Sequence, residues 1–323
     1  DIYPLRPTIY LFVDYDRVYV TPNGSIVRLE EVRRFMEDSL RAAGAPETEA
    51  KAHADLLMHA DTVGHYSHGL NRLEFYINDC LSGSCTPTAK PVILKESPAT
   101  AWVDGCDTLG ATVGNFCMDI AIRKAKESGN FKFCTIFLLS QFVPLTGSLS
   151  QKGLTGSTRQ GLKLRRQSLC RVARTIYIMY LLLPSQAFQA GCLMPLGGVE
   201  KTSGYKGYAL SAMVEVLCSG LSGKFRGWEL TSDQGPPNLG QCFAAIDPDC
   251  FAPGFAERIA DCLQHWRNLE PVDPSLPVLA PGDKERITGQ KTTARGTVSY
   301  PQRQIEAMET MAKRIGIKPL ELL

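Results

Sequence analysis

Apolar residues fall into helical stripes along the first third of the chain. Leu29, Val32, Met36 and Leu40 recur at a spacing of three to four within 27–43, and Gly44 supplies a stop, so a helix is expected there. Pro46 opens a second helix, with Ala50, Ala54, Leu57 and Met58 along one side, running to about Thr62. Leu70, Leu73, Tyr76 and Ile77 predict a third. Ahead of these, the β-branched and aromatic residues of 1–27 suggest a strand or hairpin, with a turn at Asn23-Gly24.

Shorter apolar runs follow. Val92-Ile93-Leu94 and Thr100-Ala101-Trp102-Val103 read as strands, and Asp104-Gly105 as a turn. Within 107–129 a long helical stripe holds Val113, Phe116, Cys117, Ile120, Ile122 and Ala125. An apolar helix is expected over 208–221. A short strand from Cys242 runs into a turn at Asp247-Pro248, and an amphipathic helix covers 255–267. The last helix, 305–316, carries Ile305, Met308, Met311, Ala312 and Ile315.

The turn between the second and third helices concentrates the chemistry. From Asp61 to Tyr76 the chain reads D-T-V-G-H-Y-S-H-G-L-N-R-L-E-F-Y. Gly64 and Gly69 bracket two histidines, so the backbone can turn sharply. His68 can give or take a proton near neutral pH. Ser67 can orient a substrate oxygen, and Arg72 can grip a carboxylate with two parallel hydrogen bonds. Arg72 and Tyr76 are four apart, hence on one face of the third helix. Together these side chains suit a small acid with a hydroxyl or keto group beside its carboxylate. A metal reading of His53, His59, His65 and His68 is set aside. His53 and His59 are about 120° apart around a helix axis, and no third ligand has suitable spacing.

Composition narrows the class. The 323 residues suffice for one large domain or two ordinary ones, and 44% hydrophobic with 21% charged residues is typical of a globular protein. A net charge of +2 gives no global pull toward nucleic acid or membrane. The run 9–13 is too short for a signal, and 176–183 is far short of a membrane span. The eleven cysteines are scattered, with no C-x-x-C pair, which points to free thiols in a reducing compartment such as the cytoplasm. The chain lacks an initiating Met, which points to a fragment.

The segment G-H-Y-S-H-G-L-N-R-L-E-F-Y resembles the G-H-x-S-H-G-x-x-R-x-x-x-Y signature of the malate/L-lactate dehydrogenase family, a group distinct from the Rossmann-type enzymes of similar name. P-A-T-A-W-V-D-G and the glycine-bearing helix after it, L-M-P-L-G-G-V-E-K-T-S-G-Y-K-G-Y-A-L, F-A-A-I-D-P-D-C-F-A-P-G and V-L-A-P-G-D-K-E are similar to the same family. The matches cover roughly 27–129 and 190–323. No G-x-G-x-x-G occurs. The resemblance implies a non-Rossmann α+β fold: a large mixed sheet that binds the cofactor, beside a helical domain. On it, 1–26 is an extension, 27–80 with 290–323 a helical substrate and dimer domain, and 81–289 the cofactor domain. It implies hydride transfer between NAD or NADP and a small 2-hydroxy or 2-keto acid. His68, Ser67 and Arg72 are then catalytic, and Arg72 and Tyr76 bind substrate. Lys206, Gly207, Pro281, Gly282 and Asp283 touch the cofactor, and no metal is required. A cytoplasmic homodimer is expected, with neither nucleic acid nor membrane as a partner.

One segment departs from this pattern. From 128 to 199 there is no Asp or Glu, while Lys152, Arg159, Lys163, Arg165, Arg166, Arg171 and Arg174 make it basic. The family's S-N-H, T-N-x-S-P, G-T-N-P and D-M-A-T-S segments are absent from 131–189, which contains no histidine. That part is atypical and a candidate for disorder, by replacement or by divergence. Two alternatives therefore stay open: a catalytically impaired relative that acts as a binding or subunit protein, and a basic binder of anionic lipid or RNA through 152–174. K-L-R-R-Q-S-L also resembles a basophilic kinase site.

Overall fold

The computed structural model describes residues 24–127, 133–138, 195–223 and 240–323; of 133–138 only the backbone is described. The hairpin expected before residue 24, and all readings of 139–194, lie outside the described residues.

The first hydrophobic core joins the two ends of the chain. Strand β1 (Ser25–Arg28) pairs antiparallel with β6 (Thr297–Tyr300), Ser25 opposite Tyr300 and Arg28 opposite Thr297. Helix α1 (Leu29–Ala42) follows at once, with Glu30 and Glu31 in its first turn and Arg41 in its last, both favourable to the helix dipole. The helix was expected from residue 27. It begins two residues later because Val27, fully buried, is held in the ribbon with β6.

Helix α2 (Glu47–Thr62) starts after Pro46, whose ring fixes the φ a helix entry needs. Its inner face buries Ala50, His53, Ala54, Leu57, Met58 and Asp61. A 3-10 turn (Leu70–Arg72) leads into α3 (Leu73–Leu81), so the third helix is shorter than its apolar stripe suggested. The final helix, α8 (Gln302–Ile315), closes this core with Ile305, Met308, Met311 and Ala312.

A second core lies on a four-stranded mixed sheet in the order β2-β3-β4-β5. Strands β2 (Val92–Glu96) and β3 (Thr100–Asp104) are antiparallel, β3 and β4 (Phe133–Leu138) parallel, and β4 and β5 (Gln241–Ile246) antiparallel. The crossover from β3 to a parallel β4 needs a covering element, which α4 (Gly110–Glu127) provides. Val113, Cys117, Ile120, Ala121 and Ala125 of α4 pack on Ala101 and Val103 of β3. Helix α5 (Gly204–Glu215) continues into one π-helical turn (Val216–Gly220), and α6 (Phe255–Arg267) follows β5. The indole N–H of Trp102 donates to the Ser222 carbonyl at 3.0 Å and ties β3 to the turn after α5.

Helix α7 (Asp283–Arg295) and strand β6 were not anticipated. The helix D-K-E-R-I-T-G-Q-K-T-T-A-R has no apolar stripe, and four residues are too few for a clear alternation. Among the described residues, no helix is long and apolar enough to cross a membrane.

Candidate functional site

The loop from α2 to α3 is held by its own backbone. Gly64 takes φ +90°, a left-handed conformation that favours glycine, and its N–H donates to Asp61. The His65 N–H donates to Ala60, and the His68 N–H to His65 at 2.8 Å. These bonds coil 64–69 into a compact turn. Ser67, His68 and Arg72 are half-buried on it.

The three side chains expected to act together do lie together. The Ser67 hydroxyl sits 2.7 Å from His68 Nδ1. It donates to that nitrogen in one tautomer of the ring and accepts from it in the other. Arg72 Nε donates to the Ser67 carbonyl at 2.8 Å, and its guanidinium lies 5.6 Å from the Phe75 ring. The guanidinium therefore braces the backbone on which Ser67 and His68 stand. Tyr76, by contrast, is only 2% exposed. Its ring meets His53 edge-on at 4.1 Å, inside the first core.

Beneath the loop lie two buried polar groups, His53, weighed in the sequence only as a metal ligand, and Asp61, which carries no expectation there. His53 is fully buried, and neither ring nitrogen has a hydrogen-bond partner among the described residues. Burial pushes its pKa down to about 4, because the interior penalises the imidazolium. Asp61 is also fully buried, and burial pushes its carboxyl up to about 7. Its Oδ2 accepts from the Leu70 N–H at 2.9 Å and from the Tyr300 hydroxyl at 2.7 Å. One signal for both was available: 53 and 61 fall on the same 3.6-residue stripe as Ala50, Ala54, Leu57 and Met58. An ionisable side chain on an apolar stripe marks a buried polar group.

Two distant stretches also converge here. His65 Nε2 lies 3.4 Å from Glu285 Oε1, in the first turn of α7. A Cβ on Gly64 would stand 3.2 Å from Thr288 Cγ2, and one on Gly289 3.5 Å from Val63 Cγ1. Helix α7 thus packs on the turn that carries His68, with Pro281 and Gly282 just ahead of its first turn. Gly282 has φ +88°, is exposed, and has open space where a Cβ would be. Asp283 is 3% exposed and fully engaged. Arg267 donates two bonds of 2.8 Å to its carboxylate, and the Ala280 N–H and Arg286 donate to it as well. The Arg267 guanidinium holds its pKa well below the usual carboxylate range. Asp283 is the clasp between α6 and α7.

Lys206 is exposed on the first turn of α5, its ammonium 5.9 Å from the Tyr205 ring. The close approach that Gly204 and Gly207 allow is to the chain itself. A Cβ on Gly204 would lie 1.9 Å from the Gly198 carbonyl oxygen, and one on Gly207 2.1 Å from that of Leu196. Among the described residues, no group of three or more His, Cys, Asp or Glu is arranged to hold a metal ion.

The sequence model of the family described as malate/L-lactate dehydrogenase matches residues 27–133 and 183–309. A malate dehydrogenase of Pyrococcus horikoshii is 26% identical over 363 residues, covering 95% of this chain and 100% of that protein. An L-sulfolactate dehydrogenase of Methanocaldococcus jannaschii is 27% identical, covering 82% of this chain and 91% of that one. Among solved structures, malate dehydrogenase from Pyrococcus horikoshii OT3 superposes with a TM-score of 0.76 at 24% identity, over 94% of this chain and 99% of that one. Malate dehydrogenase from Entamoeba histolytica gives 0.74 at 23% identity, over 92% and 99%. The fold is thus that of a dehydrogenase. The chain belongs to the malate/L-lactate dehydrogenase family. The family match is interrupted over 134–182, inside the segment that lacks the family's motifs.

Proposed function

We propose that the protein is an oxidoreductase that transfers a hydride between NAD or NADP and a small 2-hydroxy or 2-keto acid, malate- or lactate-like. The observation that carries this reading is the Ser67–His68 pair at 2.7 Å, on a loop braced by Arg72. A bound nicotinamide supplies the hydride. His68 gives its proton to the keto oxygen in reduction and takes it back in oxidation. Ser67 hydrogen-bonds that oxygen, and Arg72 pairs with the substrate carboxylate. Tyr76 supports the substrate side from the core, by holding His53 and α3. The exposed Lys206 ammonium and the open backbone at Pro281–Gly282 have the chemistry to hold dinucleotide phosphates. Asp283 and Gly207 serve the same regions by shaping the backbone.

In this reading the fold is the family's non-Rossmann type, supported by the two antiparallel pairings of the four-stranded sheet. The helical domain carries the substrate loop and the sheet domain the cofactor. Tyr205, Tyr208 and Met213 of α5, with Val216 of the π-helical turn, are each more than 40% exposed, which supports a homodimer. The described cysteines are all free thiols, which suits a cytoplasmic protein.

The interruption of the family match favours a second reading, a relative that has lost turnover and acts as a binding or subunit protein. Titration with NADH and NADPH, followed by fluorescence and thermal shift, separates the two. Saturable binding at micromolar concentration, with turnover of 2-keto acids that His68→Ala abolishes without loss of fold, is the expected result. A protein that melts cooperatively but binds neither dinucleotide is the impaired relative. Full activity in His68→Ala removes His68 from the mechanism.

A further inference from the structure

We infer that Asp61 is a positioning residue for the Ser67–His68 pair, acting through Leu70 and through Tyr300 of the far C-terminal strand. The inference rests on the oxidoreductase reading of that pair. The segment Ser67–Gly69 is bracketed by Tyr66 and Leu70; Leu70 bonds the buried Asp61 directly, and Tyr66 rests on the Tyr300 that bonds it. The Leu70 N–H donates to Asp61 Oδ2 at 2.9 Å. The Tyr300 hydroxyl donates to the same oxygen at 2.7 Å, and the Tyr66 ring rests edge-on against the Tyr300 ring, 6.2 Å between centres at 82°. One carboxylate oxygen thus fixes the loop on both sides of His68.

Gly69 makes the fit steric as well as polar. Its φ is −99°, on the side that any residue adopts. The space is what is missing: a Cβ there would lie 1.9 Å from Asp61 Oδ1 and 2.1 Å from Cγ. The peptide that follows His68 therefore lies directly on the carboxylate. Oδ1 itself has no hydrogen-bond partner among the described residues, although it is fully buried. An acceptor left unmade in the interior is costly. A carboxyl retained at that cost, beneath a proton-transfer loop and on an otherwise apolar helix face, is placed for something other than stability. A shift of about 1 Å in such a loop can lower a rate by about 100-fold.

The test uses the full chain with Asp61→Asn and Tyr300→Phe. The first keeps the shape and an acceptor for Leu70; the second removes one hydroxyl and no volume. Turnover with a 2-keto acid and NADH or NADPH is measured beside the 15N NMR signals of the imidazoles, with His68 assigned by its loss in His68→Gln. In both variants we expect a cooperative melt, dinucleotide binding within about twofold of wild type, and KM changed far less than kcat. The expected loss in kcat is about 100-fold for Asp61→Asn and about tenfold for Tyr300→Phe. The His68 Nδ1 signal moves in both while that of the exposed His59 stays. Wild-type kcat per folded molecule with an unmoved His68 signal, in either variant, overturns the inference, even where the melting point has fallen. If Asp61→Asn does not fold, Tyr300→Phe alone decides. If the wild-type chain turns over no 2-keto acid, the oxidoreductase reading fails, and the movement of the His68 signal still decides whether Asp61 positions the loop.

Discussion

His53 and Asp61 occupy one face of α2, both fully buried, and their protonation pulls stability in opposite directions across one pH range. His53 has its folded pKa depressed from 6.5 to about 4. Its contribution is present above pH 6.5 and is lost as pH falls toward 4, because the unfolded chain takes up a proton that the folded one refuses. Asp61 has its folded pKa raised from 3.8 to about 7. Its contribution is present below 3.8 and is lost as pH rises through 7. At a full slope of about 1.4 kcal/mol per pH unit, reduced at the upper end where both groups are partly titrated, acidifying from about pH 6.5 to about pH 4.5 costs about 2 kcal/mol at His53 and returns about 2 kcal/mol at Asp61. In the wild type these two cancel. His53→Leu unmasks Asp61, and the variant should gain about 2 kcal/mol relative to wild type over that acidification. Asp61→Asn unmasks His53 and should lose about as much. Urea unfolding followed by circular dichroism at the two pH values measures this. Every other titrating group is common to the three proteins and drops out of the differences. Parallel pH dependences in all three would refute the reasoning, since they would mean that neither group keeps its abnormal protonation state in the folded core.

Three further outcomes follow from the geometry. Arg72→Lys loses the Nε bond to the Ser67 carbonyl and the planar fork, so KM for a keto acid should rise at least about tenfold with a smaller change in kcat, read by steady-state kinetics. Asp283→Asn weakens the clasp of Arg267, Arg286 and the Ala280 N–H. Because the folded pKa of Asp283 is lowered, the stability it contributes is present above the normal carboxylate pKa and is lost as pH falls, so the gap in melting temperature between wild type and variant should narrow in acid. Gly207→Ala places a Cβ 2.1 Å from the Leu196 carbonyl oxygen, which must shift; a melting temperature equal to that of wild type would show that the contact carries no load.

What could be read from the chain alone was what depends on neighbours in sequence. Helices α2 and α6 and strand β5 came out near their observed bounds, because Pro46, Gly254 and Asp247-Pro248 punctuate a clear apolar period. The Ser67–His68–Arg72 cluster was legible because its members lie within six residues of one another. Helix α7 was not, since its helical state comes from packing on the 63–65 turn rather than from an apolar stripe. The resemblance places Gly207 beside the cofactor, but the chain alone does not show that its missing side chain makes way for the Leu196 carbonyl, a contact that only the folded backbone reveals. Tyr300 is 239 positions from Asp61, and nothing local to either residue announces the bond between them.

The ribbon of β1 and β6 gives the chain a temporal order. Among the described residues, strand β1 pairs only with residues 297–300, and the Leu323 N–H bonds the Ile26 carbonyl at 3.0 Å. A nascent chain on the ribosome therefore carries the His68 turn without the tyrosine that steadies it until residue 300 is made. It must keep α1, α2 and α3 from premature association until α8 arrives to cover them. A stop codon between Tyr76 and Tyr300 would leave the whole His68 motif in the sequence and yet remove one of its anchors. In this architecture the integrity of the His68 motif is decided by residues 297–300, far downstream of it.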